Sequence, residues 1–304
     1  MRIYLLFLGY IFGLLLLAAA LVPWAHPALF AHLGLEPASS LYRLAMLVAL
    51  LALPWFLQRI RLNSWEAAGF TAPRTEGWRQ LGLGFLAGCA ILAVLAVAET
   101  LTGMHHLAIP ASKATAAYVA KTIVSGALSG LAVGLIEETF FRGLMQTGLR
   151  RSMAFWPSAL LIATLYAALH FVKPEPLGDN PFDHAHAFSM LFGGFARLTE
   201  ASVFADSLTT LFVAGVFFCM IRERTGSVVW AIGIHAGWVM SIKLFKYLTD
   251  PTLVDGAPSP WIAGGYDHVT GWLATLWLSA VAWIYWHISS PAIRTASDTH
   301  QTGR

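Results

Sequence analysis

From position 122 the chain reads as a membrane helix until Glu137, Glu138 and Arg142 put three charges into six residues. On insertion scales each such charge costs about 2.5–3.5 kcal/mol at the centre of a membrane helix, so it persists only beside partners or a water-filled cavity. Ahead of the charges stand Gly126, Gly130 and Gly134, a small residue at every fourth place. That spacing clears one helix face for the close approach of a neighbouring backbone. The chain must therefore enclose a charged layer within closely packed helices, and ionisable groups in such a layer are functional candidates.

Composition agrees with a bundle in a bilayer. Of 304 residues, 57% are hydrophobic and 12% are charged, whereas soluble domains carry about 25% charged residues. The apolar runs are continuous and lack the alternation of a β-barrel strand. We expect an all-α polytopic membrane protein of about eight spans, near 3–22, 41–57, 81–101, 122–147, 157–171, 204–221, 227–247 and 271–288. Each approaches the ~20 residues that a spanning helix needs, and the fifth is open to extension past Phe171. Residues 1–290 are expected to form one membrane domain, and 291–304 a polar, disordered tail. Met1-Arg2 leads into a first apolar run that we read as a retained span, because Pro23-Trp24 falls where a cleavage site would be. The net charge of +3 is small, and we expect no nucleic-acid partner. Cys89 and Cys219 lie within apolar runs and are expected to be free buried thiols.

The placement of Lys and Arg sets an orientation. With the N-terminus inside, and Arg142 set aside, the inner segments hold 11 Lys and Arg residues and the outer segments hold 7. This bias places both termini in the cytoplasm. Residues 63–78, with Trp65, Phe70 and Trp78 among charges, are expected to form an interfacial helix and turn. The long outer segment 172–203 is read as either an ordered cap or a mobile gate. Asp183-His184-Ala185-His186 within it reads as solvated loop, and His105-His106 reads as part of an interfacial loop.

Glu138 and Arg142 are four residues apart and share a helix face, as an ion pair requires. Glu137 points about 100° away from Glu138 and is left for a cavity. His170 ends Leu165-Tyr166-Ala167-Ala168-Leu169-His170, and His235 sits in Gly233-Ile234-His235-Ala236-Gly237. At the helical rise, Glu137, His170 and His235 lie roughly 15, 20 and 13 Å above the inner ends of their spans. Three separate spans thus bring polar residues to one layer of a core about 30 Å thick. Gly233 and Gly237 flank His235 and suit close packing, with the glycine face of the fourth span as a candidate partner. A carboxylate and two imidazoles in an apolar pocket are the parts for activating a water and holding an oxyanion.

Glu137-Glu138-Thr139-Phe140-Phe141-Arg142-Gly143 resembles the EExxxR(G) motif of the CAAX-processing and bacteriocin-processing (CPBP, or Abi) intramembrane proteases. Tyr166 to His170 resembles their FxxxH with Tyr for Phe, and the segment from Thr225 to Ala236 resembles the region of their third motif, HxxxN. The likeness covers roughly 60–290 and implies an intramembrane endopeptidase of glutamic type with a CAAX-protease-like helical core. In it, Glu137 activates water with His170, and His235 belongs to the oxyanion hole. Where the motif has Asn this chain has Val239, which donates no hydrogen bond. Trp238 carries an indole N–H on nearly the same face.

The resemblance implies no metal and no cofactor. Two carboxylates and two histidines also suit Zn²⁺, but no HExxH pair fixes two ligands on one helix. The expected partners are the lipid bilayer and a membrane-anchored protein or peptide substrate. The expected location is a bacterial plasma membrane. Two other functions stay open: a proton-coupled transporter, in which Glu and His relay protons, and a protease-like scaffold that binds a membrane segment without cutting it.

Overall fold

The computed structural model describes residues 1–109, 114–174, 176, 182–254, 257–259, 261 and 266–289. All eight expected spans are helices. They are α1 (Arg2–Ala25), α2 (Pro37–Arg59), α3 (Arg74–Leu101), α4 (Ala116–Glu138), α6 (Phe155–Phe171), α8 (Ala205–Thr225), α9 (Val229–Leu248) and α10 (Trp272–Ile288). A π-helical stretch (Thr139–Met145) joins α4 to the short α5 (Gln146–Arg150), so one helical rod runs on to Arg150. Among the described residues, five helical stretches are long and apolar enough to cross a membrane: Arg2–Leu33, Pro37–Arg59, Arg74–Leu101, Ala116–Arg150 and Ala205–Thr225. α6 and α10 are apolar but shorter, at 17 residues each. Leu51, Leu86, Leu128 and Leu276 project outward and exposed from four different helices. Lipid chains, unlike water, accept such a surface without penalty. The protein is a helical polytopic membrane protein.

α9 is the central helix, packed between α3 and α4 through two different faces. Gly84 and Gly88 of α3 oppose Gly233 and Gly237 of α9. A Cβ on Gly84 would lie 2.7 Å from the Trp230 carbonyl oxygen, and one on Gly237 would run into the carbonyl of Phe85. The glycine face of α4 meets another side of α9: a Cβ on Gly130 would lie 2.6 Å from the Ala236 carbonyl oxygen. The expected pairing of Gly233 and Gly237 with α4 is therefore corrected. Those two glycines serve α3, while Ile232, Ala236 and Met240 take the α4 face. Periodicity shows that a helix has a small-residue face, but it does not name the helix that fills it.

Other segments also depart from expectation. Residues 65–69 form a turn, and Trp78 already belongs to α3, so 63–78 contains no separate interfacial helix. α6 ends at Phe171 without further extension. The segment after it contains α7 (His184–Ala196) and a 3₁₀ stretch (Arg197–Phe204). Ala187, Met190 and Leu191 of α7 join Ala18, Ala19 and Val22 of α1 and Leu41, Leu44 and Ala45 of α2 in one apolar cluster. Of the two readings, the described part is an ordered cap. Asp183 caps α7 by accepting from the His186 backbone N–H at 2.9 Å and pairs with His186 Nδ1 at 2.8 Å, so these residues start a helix and are not loop. The tail expected at 291–304 lies outside the described residues.

His105 is likewise corrected from interfacial loop to buried strand residue. It opens β1 (His105–Leu107), which pairs antiparallel with β2 (Thr249–Pro251). Its Nε2 donates to the His268 carbonyl at 2.8 Å, which leaves Nδ1 to pair with the Thr249 hydroxyl at 3.1 Å. Burial pushes its basicity below that of a free imidazole, and the bond to the His268 carbonyl opposes that shift. Glu99, fully buried at the end of α3, brings a carboxylate oxygen to 3.7 Å from His105 Nε2. This polar cluster ties α3, β1 and β2 to the segment 266–271 ahead of α10.

Backbone contact at the glycines generates a direct test. Gly130→Leu forces a side chain against the α9 backbone and is expected to cost about 1–3 kcal/mol or more. A Cβ at Gly9 meets nothing within 4 Å, so Gly9→Leu is expected to be close to neutral. Thermal unfolding of both variants in detergent micelles distinguishes them.

Candidate active site

The site begins where α4 passes into the π stretch. A π turn adds a residue to the helical repeat and commonly marks a functional position. Here it follows Glu138 immediately, and it carries Arg142 and Gly143. Gly143 rests against the Ala68 carbonyl with no room for a Cβ. The turn of residues 65–69 thus braces the rod beneath the two glutamates.

Glu138 and Arg142 are both fully buried. Arg142 Nη1 donates to Glu138 Oε1 at 3.2 Å, and Nη2 donates to the Gly215 carbonyl of α8 at 3.3 Å. The guanidinium also lies over the Tyr166 ring at 4.2 Å and near Phe218 at 5.1 Å. Aromatic faces and a carbonyl thus share its charge with one carboxylate. A buried pair of this kind holds helices in place, and removing either member strands the other.

The same carboxylate oxygen reaches α9: His235 Nδ1 donates to Glu138 Oε1 at 2.8 Å. The bond spans 97 positions in the chain. Glu138 therefore orients an imidazole as well as balancing Arg142. His235 is 7% exposed, and its ring lies parallel to Phe218 at 5.5 Å between centroids. With Nδ1 committed to the carboxylate, Nε2 is the nitrogen left for a ligand.

Glu137, about 100° around the helix, is partly exposed and lines a cavity of about 800 Å³. His170, His235, Trp238 and Val239 line the same cavity. His170 donates from Nδ1 to the Tyr166 carbonyl at 2.7 Å, so the neutral ring keeps its lone pair on Nε2. Each of the three expected reactive residues thus borders one space, from α4, α6 and α9. The far wall is the segment held by His105: Tyr266, Asp267, Val269 and Thr270 line the cavity as well. A second, apolar groove of about 530 Å³ runs between α1, α2 and α4, and Glu137 lines it too.

Sequence reasoning missed the Glu138–His235 bond, the Phe218 platform and the 266–270 wall. Phe218 is one apolar residue among many in its helix. The wall lies in a connection with no periodic pattern. Among the described residues, no three His, Cys, Asp or Glu side chains converge so as to hold a metal ion.

The site is thus a carboxylate and two imidazoles bordering one cavity of a helical membrane protein. Residues 119–241 match the family model described as Rce1-like, type II CAAX prenyl endopeptidase. The matched span includes Glu137 to Gly143, His170 and His235, so the resemblance to the CAAX-processing proteases read in the sequence is borne out. The matched family is one of endopeptidases, which supports a protease. No curated protein and no solved structure matches the chain.

The ion pair gives a prediction. Arg142→Ala and Glu138→Ala are each expected to destabilise the protein by about 3–5 kcal/mol, the usual cost of leaving a buried charge unpaired. Folded yield and thermal midpoint after detergent extraction check this, and wild-type values for both variants would rule out a structural role.

Proposed function

We propose that this protein is a glutamic-type intramembrane endopeptidase that hydrolyses a peptide bond of a membrane-tethered protein or peptide. The observation that carries the reading is the convergence of Glu137, His170 and His235 on one cavity. The family match supports the protease class.

In the proposed reaction a water lies between Glu137 and His170 Nε2. Glu137 takes one of its protons as the water oxygen attacks the scissile carbonyl carbon. The carbonyl π electrons move onto oxygen, and His235 Nε2–H donates to that oxyanion. When the tetrahedral intermediate collapses, the C–N bond breaks and the amine leaves with the proton from Glu137. Donation from Nε2 requires the imidazolium, since Nδ1–H is already bound to Glu138. In that form Nδ1–H keeps its bond to the Glu138 carboxylate while Nε2–H is free for the oxyanion.

The groove beside Glu137 suits a tethered substrate. Ile11, Leu14, Leu15, Leu50 and Leu53 line it, with Tyr10, Thr139 and Glu137 among its few polar groups. A hydrocarbon chain or apolar segment attached to the substrate fits that lining and leaves the adjoining peptide at Glu137. The protein is read as sitting in a plasma membrane with both termini in the cytoplasm, following the arginine bias of the inner connections.

Two outcomes are expected. Glu137→Gln keeps the size of the side chain but not its basicity, and should fold while losing nearly all turnover. His235→Ala should lower the rate by about 10²–10³, the usual cost of one oxyanion donor, and chelators should leave the wild-type rate unchanged. Wild-type-like cleavage by Glu137→Gln in vesicles would overturn the mechanism. For orientation, reporter fusions after Arg79, Arg151 and Arg224 should read cytoplasmic, and fusions within 172–203 external. Two or more reversed readings would exclude this topology.

A further inference from the structure

Trp238 carries a buried polar atom that the protein itself does not use. The residue is 7% exposed, and among the described residues its indole Nε1 has no hydrogen-bond partner. An indole N–H is a donor only, and leaving it unsatisfied in the interior costs free energy that a phenylalanine in the same place would avoid. Packing alone therefore does not account for the nitrogen.

The ring is held on two sides. Phe217 stacks on it at 6.0 Å with an interplanar angle of 19°, and Phe218 lies against it at 4.8 Å and 47°. Phe218 is also the platform for His235, so both side chains are positioned by one ring. They stand three residues apart on α9, a spacing that puts them on one helix face, and both line the cavity that holds Glu137. Thr210, also in the lining of that cavity, is already engaged. The Thr210 hydroxyl lies 3.0 Å from the Asp206 and Gly271 carbonyls and 2.7 Å from Thr275 Oγ1. Val239, also in the lining, has no donor to give.

We infer that Trp238 is a catalytic residue whose indole N–H donates to the oxyanion beside His235. This rests on the hydrolytic reading of the cavity and deepens it. The acceptor that the nitrogen lacks in the resting protein is then the charge that develops on the substrate carbonyl oxygen. A rigid donor held ready for that charge lowers the barrier without reorganising at the moment of reaction. It also completes a pair: one donor is cationic and tied to Glu138, and the other is neutral and clamped by aromatic rings.

The test uses the full-length protein in lipid vesicles with an internally quenched lipidated peptide that the wild type cuts. Trp238→Phe keeps an aromatic ring between Phe217 and Phe218 and removes the donor. Its kcat is expected to fall about 10²-fold, in the range for one oxyanion donor, with KM and thermal midpoint close to wild type. Adding Val239→Asn to Trp238→Phe supplies an amide donor one residue away and is expected to recover tenfold or more. If Trp238→Phe folds poorly, a benzothienylalanine at 238 preserves the indole shape without the N–H and should show the same loss. A peptide phosphonate, a stable tetrahedral anion, reads the same contact without turnover and is expected to bind either variant about 10²-fold more weakly. A kcat and phosphonate affinity within twofold of wild type for the isostere, while Glu137→Gln is inactive, would overturn the role of Trp238 alone. Full activity in Glu137→Gln would instead overturn the hydrolytic reading.

Discussion

One carboxylate oxygen, Oε1 of the fully buried Glu138, accepts hydrogen bonds from both Arg142 and His235. Through Arg142 it reaches the Gly215 carbonyl of α8, and through His235 it reaches α9. Three helices are thereby held in register at the depth of the cavity. The arrangement is costly to bury, and for that reason it is specific: in a bilayer any shift of α9 against α4 would leave an ionised group without its partner. The same bonds decide which nitrogen of His235 faces the cavity.

Such a short contact between α4 and α9 depends on the absence of side chains elsewhere along them. Gly126, Gly130 and Gly134 let α9 lie against α4, while Gly84, Gly88, Gly233 and Gly237 let it lie equally close to α3. Packing of this closeness replaces the hydrophobic driving force that is missing between helices in lipid. The π stretch after Glu138 then carries Arg142 back toward α8, and Gly143 seats that stretch on the turn at Ala68. Scaffold and site are thus one piece of construction, since the residues that admit α9 also determine where His235 stands.

Glu137 occupies the boundary between two kinds of space. On one side lies the cavity with His170, His235 and Trp238, and on the other the apolar groove along α1 and α2. A carboxylate at such a boundary meets water and polar groups from one side and hydrocarbon from the other. That geometry supports the proposed substrate, part peptide and part membrane anchor. The wall made by 266–270 depends on a separate buried cluster, in which His105 holds the His268 carbonyl beside a buried Glu99. The shape of the cavity therefore rests on polar contacts at the ends of α3 and α9 as well as on the ion pair beneath it.

By itself the sequence determined the helical membrane class, the positions of eight helices, and Glu137, Glu138, Arg142, His170 and His235 as the candidate polar residues on three of them. These follow from local rules: apolar run length, four-residue spacing, and the high cost of charge in lipid. The partner of each helix face was decided only by the tertiary structure, which gave Gly233 and Gly237 to α3 and not to α4. It also decided the Glu138–His235 bond, the burial of His105 and the orphaned nitrogen of Trp238. Each of these joins residues far apart in the chain or depends on what fails to arrive beside them. A periodic pattern records how a residue faces its own helix. It carries no record of which helix lies opposite, and that choice is made by the packing of the whole bundle.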